Sequence, residues 1–123
     1  MTLAGVALLA ACSDGGTVAG GDIVAAGNRF NIDQLTFTAG EQVSLEFVND
    51  DRALHNWALY EDEAQARAGQ AIVQGEEITE GSTTINFTAP EEGEYLFQCD
   101  LHPYLMRGTA IVEGAERADA GGG

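Results

Sequence analysis

The chain is predicted to be an all-β protein: an antiparallel sandwich or barrel with one short helical segment, built from residues 22–113 of the 123. Apolar and polar residues alternate with period two in a series of short runs. Each run stops at a Gly, a Pro or an Asn/Asp cluster, which is how sandwiches and barrels read in sequence. Helix signals gather in a single short stretch.

In chain order, Phe30 and Ile32 alternate with Asn31 and Asp33, and Leu35 and Phe37 with Thr36 and Thr38, before Ala39-Gly40. Val43, Leu45 and Phe47 alternate with Ser44 and Glu46, closed by Asn49-Asp50-Asp51. His55, Trp57 and Leu59 fall on one face of the next run, with Trp57 expected in the core. Residues 62–68 read as helix: Asp62 is a suitable N-cap, three alanines follow, Glu63 and Arg67 pair at i,i+4, and Gly69 ends the turn. Ile72-Val73 reads as a short strand or a packed loop. Ile85 and Phe87 alternate with polar neighbours up to Ala89-Pro90. Tyr95, Phe97 and Cys99 then share a face, and residues 108–113 form a final strand.

Acidic residues outnumber basic ones twenty to five, with no lysine, for a net charge of −15. That excess excludes nucleic acid, whose phosphates require a basic surface. It suits solubility, and equally the steering of a basic partner.

Residues 1–11 are small and apolar, too short a run to cross a bilayer, and read as a signal h-region. Leu9-Ala10-Ala11-Cys12 resembles a bacterial lipobox, although no Lys or Arg precedes it. Cleavage there would leave Cys12 as a lipidated N-terminus. The domain would then sit in the periplasm or on the cell surface, membrane-anchored through a Gly-rich tether at residues 12–21. Residues 114–123 lack apolar periodicity and are expected to be disordered.

The chemistry concentrates in Cys99-Asp100-Leu101-His102-Pro103-Tyr104-Leu105-Met106 and in His55, since the chain has only two histidines. Period-two alternation aims Cys99 inward at the end of its strand, and His55 opens a strand that can reach the same pole. One thiolate, two imidazoles and one thioether form the set suited to a blue-copper electron-transfer centre. Pro103 stiffens the loop directly after His102. Taken singly, Cys99 and Met106 would be core filler and the histidines ordinary polar groups. Three other readings stay open: a zinc site, which thioether sulfur disfavours; copper binding or delivery without electron transfer; and a Cys–His nucleophile, for which no orienting third group is evident.

Cys99-Asp100-Leu101-His102-Pro103-Tyr104-Leu105-Met106-Arg107-Gly108 resembles the ligand loop of the cupredoxin (plastocyanin/azurin-like) family, in its C-D-x-H-P-x-x-M-x-G form. His55-Asn56 resembles that family's first ligand motif, and Thr83 through Cys99 its penultimate strands. The resemblance implies an antiparallel Greek-key β-sandwich, cupredoxin-like, binding one copper ion as Cu(I) or Cu(II). His55, Cys99 and His102 would be equatorial ligands and Met106 the axial one. Asn56 would tie the two ligand loops together from behind, with Pro103 in support. It also implies a monomeric carrier, not an enzyme, passing single electrons between redox protein partners.

Overall fold

In the computed structural model, residues 23–115 are described; the expected leader, Cys12, the tether and most of the tail lie outside them. The elements run β1 (Ile23–Ala26), β2 (Arg29–Phe30), β3 (Gln34–Thr38), β4 (Gln42–Asn49), β5 (Ala58–Tyr60), α1 (Glu63–Ala68), β6 (Ala71–Gln74), β7 (Gly81–Thr88), β8 (Gly93–Gln98) and β9 (Arg107–Glu113). They form two sheets, ordered β2-β1-β4-β7 and β3-β9-β8-β5-β6.

The alternation in the sequence becomes burial. Along β4, Val43, Leu45 and Phe47 are buried while Gln42, Ser44 and Glu46 face solvent. Such a strand has one dry face, so a register slip of one residue would expose the whole apolar set. Trp57 packs against Phe97 of β8 and Phe87 of β7, at 5.9 and 5.8 Å between ring centroids, an aromatic cluster that joins the sheets. Helix α1 forms as its caps specify: the Asp62 carboxylate accepts the Gln65 N–H, and Gly69 takes the left-handed conformation that stops it.

The structure departs from the sequence reading in detail. Two pairings run parallel, β1 with β4 and β3 with β9, among otherwise antiparallel ladders. Direction depends on how the chain crosses between sheets, which local alternation does not encode. Ile32 lies outside any strand and β2 is only two residues long. The run at His55 is continuously buried through Tyr60 rather than alternating, and only its last three residues are strand. A strand covered on both sides loses the period-two signature.

Candidate metal centre

His55 lies in the stretch joining β4 to β5. Buried Asn49 shapes that stretch: its Nδ2 donates to the carbonyls of Ala53 at 2.8 Å and Ile78 at 2.7 Å, and its Oδ1 accepts the Asp51 N–H at 2.8 Å. His55 and Ile78 then exchange two backbone hydrogen bonds of 3.0 Å, an isolated bridge that holds the histidine backbone. The other candidate ligands come from the turn between β8 and β9. The Cys99 N–H donates to the Met106 carbonyl at 2.9 Å, closing the loop on itself. Inside it, the Cys99 carbonyl accepts from His102 N, and the His102 carbonyl accepts from Leu105 N and Met106 N. Gly108 is required where this loop enters β9, because a Cβ there would lie 2.5 Å from the Asp33 carbonyl oxygen and against the Phe97 ring.

These two segments converge. One ligand atom from each of His55, Cys99 and His102 falls within a 4.8 Å cluster. Both imidazoles present Nδ1 to the sulfur, at 3.9 Å for His55 and 3.8 Å for His102. Cys99 and His55 have no solvent exposure, while His102 is half-buried. Met106 is wholly buried in the same apolar cluster as Cys99. The pole thus offers a dry thiol and two aligned imidazoles, one of them at the surface, beside a buried thioether side chain.

Asn56 connects the segments. Its backbone N–H donates to Cys99 Sγ at 3.5 Å, while its side chain engages Asp100. Asp100 is a four-donor acceptor: Tyr60 Oη and Gln98 Nε2 donate to Oδ1, and Asn56 Nδ2 and Gln74 Nε2 donate to Oδ2. Burial pushes the Asp100 carboxyl up, but these hydrogen bonds outweigh it and hold it below the usual carboxylate value. Tyr60 moves the other way. Burial, then the hydrogen bond to Asp100 and its charge, raise the phenol far above its ordinary value.

Behind His55, Asp51 Oδ2 lies 2.9 Å from Nε2. The backbone N–H groups of Gly27 and Asn28, with help from His55, hold this carboxyl low. Sequence reading missed Asp51, Asp100, Tyr60 and Gln74. Asp100 stands within the ligand-loop motif, so a signal for it existed. Asp51 belongs to an acidic turn that reads as a strand stop, with nothing to separate it from Asp50. Pro103 sits directly after His102 at the surface of the loop, half-buried.

A family model described as a cupredoxin-like domain matches residues 1–112. Among solved structures, the chain is similar to auracyanin A, a "blue" copper protein from the green thermophilic photosynthetic bacterium Chloroflexus aurantiacus. The TM-score is 0.68 at 27% identity, over 75% of this chain and 96% of that one. Auracyanin B matches at TM-score 0.63 and 25% identity, over 74% and 86% of the two chains. Amicyanin from Paracoccus versutus matches at TM-score 0.56 and 27% identity, over 80% and 85%. No curated protein sequence matches the chain.

Proposed function

Since the chain belongs to the cupredoxin-like family, we propose that it is a type 1 copper protein that shuttles single electrons between redox partners outside the cytoplasm. One observation carries the reading: the convergence of His55 Nδ1, Cys99 Sγ and His102 Nδ1 at one buried pole. The similarity to a "blue" copper protein at 27% identity supports it.

The donor chemistry fits the ion. A thiolate suits Cu(I), imidazole accepts either oxidation state, and thioether is a better donor for copper than for zinc. His55, Cys99 and His102 would hold the ion, with Met106 as the weakest of the four donors. Bound copper supplies a one-electron couple between Cu(I) and Cu(II). The protein supplies constancy of shape. Cys99 is fixed through its own N–H and by the Asn56 N–H on its sulfur, so the ligand positions change little with the oxidation state. A dry, preorganised cage exchanges metal slowly, which favours a carrier over a delivery protein.

His102 is the exit to the surface. Leu101, Tyr104 and Leu105 flank it in sequence, with Tyr104 75% and Leu105 53% exposed, giving an apolar face on which a partner can seat. The net charge of −15 favours a partner with a basic surround. Cys12, as a lipidated N-terminus, would keep a monomeric domain near the membrane. The reading makes the protein a carrier and not an enzyme.

The test is a visible spectrum of the purified chain titrated with Cu(II). An intense blue thiolate-to-copper band, saturating at one ion per chain, is expected. A colourless complex overturns the reading and favours zinc.

A further inference from the structure

The two histidines at the pole are held differently. His55 is buried on every side, with Nδ1 aimed at the Cys99 sulfur and Nε2 hydrogen-bonded to Asp51 Oδ2 at 2.9 Å. Among the described residues His102 has no carboxylate partner of this kind.

Asp51 is itself tied down. Its Oδ1 accepts the Gly27 N–H at 3.0 Å and its Oδ2 the Asn28 N–H at 3.2 Å. Both donors belong to the two-residue turn between β1 and β2, where Gly27 has φ 60° and Asn28 φ 59°. Positive φ at both central positions is the conformation that closes a tight hairpin, and here both central amides donate to Asp51. A chain of contacts therefore runs from the first hairpin through one carboxylate to the imidazole facing the sulfur. Two backbone amides orient the Asp51 carboxylate, so its place behind His55 is a fixed feature of the fold.

We propose that Asp51 is a positioning residue of the metal centre: held by the β1–β2 turn, its carboxylate fixes the His55 tautomer with Nδ1 free for the ion and biases the centre toward the more highly charged oxidation state. The inference rests on the copper reading above. Its physical basis is twofold. A carboxylate accepting the far N–H of a ligating imidazole sets the ring orientation and raises its basicity. A negative charge one ring away also favours Cu(II) over Cu(I), lowering the reduction potential, and the low dielectric around buried His55 limits the screening of that effect. The first hairpin thereby acquires a role at a site it does not touch.

The test compares copper-loaded wild type with Asp51→Asn by spectroelectrochemistry at one pH and salt concentration. Asn keeps the size and an acceptor oxygen but removes the charge. The variant should remain blue, and its Cu(I)-to-Cu(II) affinity ratio should rise about tenfold, equal to about 59 mV for a one-electron couple. A blue variant with an unchanged or lowered potential overturns the proposal. Should the variant fail to fold or to load, the metal-free wild-type chain decides through the imidazole 15N shifts of His55. A protonated Nε2 with a bare Nδ1 is expected, and a protonated Nδ1 or an averaged pair of tautomers overturns it. Wild type that takes up copper without a blue band overturns the function reading instead, and the tautomer measurement still decides the role of Asp51.

Discussion

Asn56 and Asp100 grip each other twice: the Asp100 N–H donates to Asn56 Oδ1 at 2.8 Å, and Asn56 Nδ2 donates to Asp100 Oδ2 at 2.9 Å. The pair couples two segments 44 residues apart, one carrying His55 and the other Cys99 and His102. Asn56→Ala leaves the Asp100 N–H without its partner in a part-buried setting. Such a loss is worth about 1–3 kcal/mol. We expect a lower melting temperature for the metal-free protein and faster loss of copper to a chelator. A variant that melts and releases copper like wild type would show that the loops are held elsewhere.

Cys99 and Met106 separate by substitution. Cys99→Ser should abolish the blue band while leaving the fold intact, because the band requires a thiolate. Met106→Leu conserves volume, for which the stability change is small, under about 1.5 kcal/mol. It should keep the colour and raise the reduction potential, since a weak donor that stabilises Cu(II) is lost. An unchanged potential would exclude Met106 as a ligand.

Stability of the metal-free protein should fall at both ends of the pH range. The Asp100 carboxyl lies below its ordinary 3.8 in the folded protein. Its contribution is therefore complete above that value and disappears as pH falls through the lowered folded value. The Tyr60 phenol is raised above its ordinary 10.0. Its contribution is complete below that value and is lost as pH climbs above it. Asp100→Asn should flatten the acid limb in thermal melts, leaving a residue from Asp51, whose carboxyl is also held low. An acid limb identical to wild type would refute the assignment.

The proposed membrane anchor rests on Cys12. Expressed from Met1 in a bacterial host that processes lipoproteins, the wild-type chain should sediment with membranes, and Cys12→Ala should shift to the soluble fraction. Retention of the variant on membranes would rule out lipidation as the anchor.

Much of the fold was legible because β4 and β9, and the caps of α1, each announce themselves within a few residues. Val43, Leu45 and Phe47 define a buried face without reference to any partner strand. Asp62 and Gly69 likewise act through backbone groups close by. The stretch from His55 to Tyr60 was less legible, since burial on both sides erases the alternation that marks a strand. β1 was also silent: Ile23-Val24-Ala25-Ala26 has too little contrast between its faces.

By itself the sequence determined a strand-rich fold with one buried face per strand, the inward aim of Cys99 and the donor types at the pole. These follow from side-chain chemistry and from a two-residue period, both of which are local. Only the tertiary structure decided which groups stand behind the donors. Asp51 among several acids met the far nitrogen of His55, Asp100 gathered Tyr60, Asn56, Gln74 and Gln98, and Gly27-Asn28 reached across from the first hairpin. The physical reason is that a hydrogen bond is satisfied across space, at about 3 Å, by whatever donor the packing of two sheets delivers. Nothing in the spacing of a chain records that delivery.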